Sequence, residues 1–292
     1  MRSRYLGDKL NPSRYSVSQI KYFVILIPLA IFYALPIVFI FSTAFKPLTE
    51  LFAFPPKFFV QDPTTENFRE LISVLSSSTV PFGRYLINSI LTTLIVVVVS
   101  VVISLYAAYT LAKKRFRCKG LINTVNTMAL MFVPTAVTIP RFLIMKETGV
   151  INSFFALILP LIALPVGLFL LVQFISDVPD ALIEAARIDG AGENRIVLRI
   201  VAPIVKPALS TVAILAFQSA WNATEPSSLF VADDLLRTFP YYISTLASNQ
   251  GNTVAGAGIV AAATLVLFIP NLVVFIFMQS RVLNTMAHSG IK

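Results

Sequence analysis

The residues best placed to do chemistry lie in one stretch, Ser176 to Ala208, which reads SDVPDALIEAARIDGAGENRIVLRIVAPIVKPA. Its acids (Asp177, Asp180, Glu184, Asp189, Glu193) are interleaved with Arg187, Arg195, Arg199 and Lys206. They form no bond-breaking constellation. One histidine (His288) and one cysteine (Cys118) in the whole chain leave no zinc cluster, no disulfide framework and few nucleophile–base pairs. His288 sits in a polar tail, MAHSGIK, and reads as solvated. No catalytic or metal-binding residue is assigned, and an enzyme is not expected.

What the stretch can do is hold a shape and meet a partner. Asp177 can cap a helix, Pro179 suits its first turn, and Asp180 puts negative charge at its N-terminal dipole. Ala181 to Ile188 is good helix material, with Leu182, Ala185, Ala186 and Ile188 forming a small-to-apolar face. Gly190 supplies the left-handed residue that ends a helix. Glu193 or Asn194 starts a second segment, with Arg195 and Arg199 on one face, and Pro203 and Pro207 break it. A mere connector would be shorter. Helices that lie on lipid favour Lys/Arg-rich polar faces, so the acids point to a protein partner.

The elements that position this stretch are membrane helices. The chain has 292 residues, 57% hydrophobic and only 13% charged, with a mean hydropathy of +0.81. Soluble domains are about a quarter charged, so a soluble globule is excluded. Disorder is excluded too, since its signature is low hydrophobicity. Charge-free gaps of roughly 20 residues or more read as spans, here over about 22–45, 85–112, 120–140, 149–173, 207–224 and 254–278. The fifth is the shortest gap and the start of the sixth is the least defined. The expected class is thus an all-α, six-span polytopic protein. A basic cytoplasmic N-terminus over 1–21, a membrane domain over 22–280 and a cytoplasmic tail over 281–292 complete it. Sixteen of the 23 Lys and Arg residues fall on the side of the termini and of the 176–206 loop, seven on the other. The positive-inside rule puts both termini in the cytoplasm and accounts for the net charge of +9 without nucleic acid. The first apolar run is too long for a signal peptide and no cleavage site follows it, so an uncleaved first span is expected.

No Asp, Glu, Lys, Arg or His lies within the six spans, which weighs against a self-contained proton-driven carrier. No P-loop is present either, so uphill transport would need a motor on another polypeptide. Ser100, Ser104, Ala108 and Ala112 make a small-residue ridge, and Gly256, Gly258 and Ala261–Ala263 another, both read as packing surfaces inside the membrane. Prolines recur in the spans (Pro28, Pro36, Pro134, Pro160, Pro165, Pro270) and can kink them.

Glu184-Ala185-Ala186, then Gly190, Ile200 and Pro203, resembles the EAA motif of bacterial ABC-importer permeases, E-A-A-x3-G-x9-I-x-L-P, with Ala202 in place of the leucine. Further residues match carbohydrate-type permeases of this class in the same order. Asn88-Ser89 opens the second span; Ala107-Ala108-Tyr109 and KKRFRCK close it. Trp221-Asn222 is similar to their W-N, Leu236 to Pro240 to their L-x-T-L-P, and Ser289 to Lys292 to a truncated glycine-rich ending. The resemblance implies a type I importer permease fold in the bacterial cytoplasmic membrane, binding-protein-dependent and maltose-permease-like. It implies a second, related permease chain, an ATPase dimer that binds ATP and Mg, and an extracytoplasmic solute-binding protein. It assigns Glu184, Ala185, Ala186, Asp189, Gly190, Ile200 and Pro203 to ATPase coupling. A carbohydrate substrate follows from the same likeness, and neutral amides suit it. Gln218, Trp221 and Asn222 are the candidate pathway residues, Trp221 as a stacking surface for a sugar. An ATP-independent carrier with a regulatory loop is the alternative.

Overall fold

The computed structural model describes residues 20–76, 80–251 and 253–289. The basic N-terminus expected over 1–21 lies outside these, save its last two residues, which already begin the first helix. Gly290 to Lys292 of the tail also lie outside.

All regular structure among the described residues is helical. Helix α1 (Ile20–Ala44) is apolar on every side and contains Pro28 and Pro36. A short helix α2 (Leu48–Leu51) and an amphipathic helix α3 (Glu66–Ser76) follow. Helix α4 (Phe82–Lys113) has 32 residues, about 48 Å at 1.5 Å per residue. That exceeds a hydrocarbon core of about 30 Å.

The stretch expected as a third span is two helices, α5 (Lys119–Ala129) and α6 (Thr138–Glu147). They are bent by 115° around a 3-10 turn at Pro134–Val137. Proline accounts for the break: it lacks an N–H and forces Val133 into extended backbone (ψ 131°). The fourth stretch breaks the same way. Helices α7 (Phe154–Ile162) and α8 (Pro165–Ser176) meet at 43°, with Ala163 extended and Leu164 also non-helical (ψ 83°) ahead of Pro165. Beyond α8 come α9 (Asp180–Ile188) and α10 (Glu193–Ile196), a π turn at Val197–Val201, and α11 (Ala202–Ile204). A right-angle turn at Val205 leads into α12 (Lys206–Trp221). A short α13 (Glu225–Leu229), α14 (Phe239–Gln250) and the long α15 (Val254–Ser289) complete the chain. Three helices are thus long and apolar enough to cross a membrane, and three bent pairs raise the number to six.

Helix α4 is the axis of the fold. It packs on α8 and α12, α12 packs on α15, and α15 carries α1. The small-residue ridge lets backbones close in: Ser100 and Ala108 are fully buried, and Ser100 Oγ donates to the Ile162 carbonyl at 2.8 Å. That ridge serves packing within the chain. On α15, a Cβ at Gly258 would stand 2.5 Å from Asn67 Oδ1. Asn67 is buried there because its amide donates to the carbonyls of Ala44 (2.9 Å) and Lys46 (2.8 Å), tying the end of α1 to α3.

Candidate functional site

The loop over 176–206 is held by one face and open on the other. Ile183 and Ala186 are the buried residues of α9. They pack with Leu105 and Ala108 of α4, Ile175 of α8, and Ile196, Val197 and Val201 of the returning segment. The face expected from sequence therefore divides. Ala186 turns inward, while Leu182, Ala185 and Ile188 face outward, Ile188 being 87% exposed.

Two ion pairs fasten the loop to the end of α4. Lys113 Nζ reaches Asp180 Oδ1 at 2.8 Å and also donates to the carbonyls of Val178 (2.5 Å) and Ser176 (3.2 Å). A cation at a helix C-terminus also meets the negative end of its dipole. Asp177 does not cap α9 as expected. It ends α8, and Pro179 stands at the N-cap position without a side-chain cap.

Glu193 is the hub that sequence reasoning missed. Its carboxylate accepts from Tyr109 Oη at 2.7 Å, from Lys114 Nζ, and from Arg187 Nη2 at 3.3 Å. Three donors, two from the end of α4 and one from α9, thus converge on the residue that starts α10. Its carboxyl is held below the usual carboxylate range, chiefly by the Lys114 hydrogen bond and then by Tyr109. Asp180 is lowered likewise by Lys113. The family-type A-A-Y and Lys-rich end of the second span sits against the loop, but only the geometry shows that Glu193 joins them.

Gly190 makes the turn, with φ +79°, a conformation L residues avoid. Around it Gly190 N–H donates to the Arg187 carbonyl (3.0 Å) and Ala191 N–H to that of Ala186 (2.9 Å). Ile200 and Ala202 pack partly against the core, so the smaller Ala202 is accommodated where leucine is usual. Pro203 is exposed in α11. The outward surface then comprises Leu182, Glu184, Ala185, Ile188 and Asp189. Unlike Asp180 and Glu193, Glu184 pairs with no cation among the described residues. A carboxylate on a small-residue ridge suits insertion into a protein cleft.

The opposite end joins two other motifs. Asn88 Nδ2 donates to the carbonyls of Leu235 (2.8 Å) and Arg237 (3.0 Å), and Ser89 Oγ accepts from Phe239 N–H at 2.7 Å. The N-S pair and the L-x-T-F-P stretch are thus one clamp. Trp221 does not fit a stacking role. It is 4% exposed, its Nε1–H donates to the Leu267 carbonyl at 3.0 Å, and Phe217 stacks on it. Its aromatic area binds α12 to α15. Gln218 and Asn222 stay exposed beside it, with Asn271 Nδ2 donating to Asn222 Oδ1 at 3.1 Å.

The described residues thus form an all-α architecture with up to six stretches apolar enough to cross a membrane and a braced loop between the fourth and fifth. Residues 100–280 match the family "Binding-protein-dependent transport system inner membrane component". The chain belongs to that family. It is 30% identical over 259 residues to the sulfoquinovosyl glycerol transport system permease SmoH of Agrobacterium fabrum, covering 88% of each chain. It is 31% identical to the trehalose transport system permease SugB of Mycobacterium tuberculosis, over 93% of this chain and 97% of the other. The fold matches a bacterial ABC transporter involved in import of the acidic polysaccharide alginate (TM-score 0.76, 22% identity, 91% of this chain and 98% of that one).

Proposed function

We propose that the chain forms half of the translocation pathway of an ATP-driven importer for a carbohydrate, in the oligosaccharide range. The loop over 176–206 and both termini face the cytoplasm, with the membrane domain over 22–280 between them. Glu184, Ala185, Ala186, Asp189, Gly190, Ile200 and Pro203 form the coupling element, seated in a cleft of a separate ATPase dimer that binds ATP and Mg. A second, related permease chain supplies the other half, and an extracytoplasmic binding protein delivers the sugar. Gln218 and Asn222 face the pathway, with Trp221 supporting them from behind.

The observation that carries this reading is the two-sidedness of α9. One face is bolted to α4 by Lys113–Asp180 and the Glu193 cluster, while the other presents, on small residues, a Glu184 that pairs with no cation among the described residues. Force applied outside would pass into α4 rather than dissipate in a loose loop. The carbohydrate class is supported by what relatives are named for, sulfoquinovosyl glycerol and trehalose among them. The test is uptake of a panel of labelled di- and trisaccharides by cells expressing the chain with its partners. Inactivating the P-loop lysine of the ATPase should abolish uptake; undiminished uptake would mean an ATP-independent carrier.

A further inference from the structure

At the end of the bundle opposite the 176–206 loop, a cavity of ≈ 320 Å3 opens between the end of α1, the segment after it and the start of α15. Phe39, Thr43, Lys46, Glu50, Lys57 and Ala257 are among its lining residues. It continues into a second cavity of ≈ 230 Å3, which shares Phe39, Thr43 and Ala257 and runs down to Thr264 between α1 and α15. The result is a cleft with a charged mouth and an apolar floor.

Two groups in it lack what burial demands. Lys46 is 4% exposed, yet no carboxylate lies within ion-pair distance of it among the described residues. Of its three ammonium donors, one reaches the Lys57 carbonyl, and the Phe39 ring lies 5.7 Å away. Glu50 shares the cavity, but its carboxylate is turned to the N–H groups of Gln61 (3.1 Å) and Asp62 (2.7 Å). The second unmet group is the Thr43 hydroxyl, buried and without a hydrogen-bond partner among the described residues. A buried cation is costly unless paired, and a buried hydroxyl seeks a partner.

The depth identifies the occupant. Lys46 is the first charge beyond the uninterrupted apolar run of α1, so its ammonium stands where a span of this kind meets the phosphate layer. Below the buried turn Ser42–Ala44, the surface of α1 from Tyr22 to Phe39 is exposed and apolar, as a lipid-facing helix requires. We propose that this cleft is a site for one phospholipid: its phosphate on Lys46, with Lys57 beside it, and an acyl chain along the α1–α15 groove past Ala257 towards Thr264. The Thr43 hydroxyl donates to an ester carbonyl between them. The lipid would add to the contacts with α3, through Asn67 and the Phe45–Phe68 ring pair, that hold the far end of α1.

The transporter complex, purified with its partner chains and delipidated, is titrated with dioleoyl-phosphatidylglycerol and read by native mass spectrometry. One retained phospholipid is expected at this chain. Lys46→Gln should cut its retention at least fivefold, Lys46→Arg should restore it, and Ala257→Trp, which fills the groove without touching the charge, should cut it to the same extent. Inorganic phosphate at millimolar level should not displace it. Retention unchanged by Ala257→Trp would overturn the proposal. So would displacement by phosphate, which would mean a free-anion site, or a complex that retains no lipid because the second permease fills the groove. If Lys46→Gln fails to assemble, Lys46→Arg against Ala257→Trp decides alone.

Discussion

Gly190 offers the sharpest perturbation, because its substitution separates backbone strain from crowding. Its φ is +79° and a Cβ there would meet nothing within 4 Å. The whole cost of Gly190→Ala is therefore that of a left-handed L residue, about 1–2 kcal/mol. Set against the seated form of the loop, this lowers its population about 5- to 30-fold. Asn tolerates the left-handed region better than most residues, and a β-branched side chain tolerates it worst. Proline fixes φ near −65° and removes the N–H that Gly190 donates to the Arg187 carbonyl. The expected order of ATPase affinity is Gly, Asn, Ala, Val, Pro, from tightest to weakest. Binding of the purified ATPase to permease complexes in nanodiscs, by interferometry, measures it. Gly192→Ala is the control: its φ is −69° and its Cβ site is open, so affinity should not change. Equal affinity across the Gly190 series, with thermal unfolding unchanged, would refute the role given to this turn.

Three further outcomes follow from the contacts. The carboxyls of Glu193 and Asp180 lie below their usual range because Lys114 and Lys113 favour the charged form. Their stabilisation is fully present above the ordinary carboxylate pKa of about 4 and is lost as pH falls through the lowered values. Hydrogen exchange of 180–201, corrected for intrinsic rates, should thus be flat from neutral pH to about pH 5 and rise only in stronger acid; Lys114→Gln should speed exchange already at neutral pH and shrink the acid-dependent rise. Ser89→Ala leaves the buried Phe239 N–H without its acceptor, at a cost of about 1–3 kcal/mol, read as a lowered unfolding temperature of the purified complex. Trp221→Phe loses the bond to the Leu267 carbonyl, about 1 kcal/mol, and part of the buried ring area beside Phe217. That is a cost in stability and not in substrate contact, so sugar uptake per folded complex should stay within about twofold of wild type; a collapse of uptake at normal expression would restore Trp221 to the pathway.

Membrane class, helix content and the turn at Gly190 were legible because each has a local signature: charge-free runs, a helical stretch with an acid at its start, and a glycine after it. What escaped has a non-local cause. Whether Asp177 or Asp180 mattered depended on where Lys113 ended α4, 63 residues earlier in the case of its bond to Ser176. Glu193 looked like a helix start, and only tertiary packing brings Tyr109, Lys114 and Arg187 to it. The small-to-apolar face of Leu182, Ala185, Ala186 and Ile188 divides because small and large apolar residues occupy both sides of α9; Ile183 and Ala186 meet the core, and Leu182 and Ile188 do not. Trp221 shows the same limit, since sequence gives an aromatic in a span but not the carbonyl of Leu267 waiting for its N–H.

The most direct test of the coupling role is a mild-detergent purification of the tagged chain, wild type beside Glu184→Lys with Ala185→Trp, with mass spectrometry of what comes with it. An ATPase carrying a P-loop and a second six-span permease should accompany the wild type, and the double variant should keep the permease while losing the ATPase. A chain that purifies alone and moves solute into liposomes without ATP would contradict the importer reading.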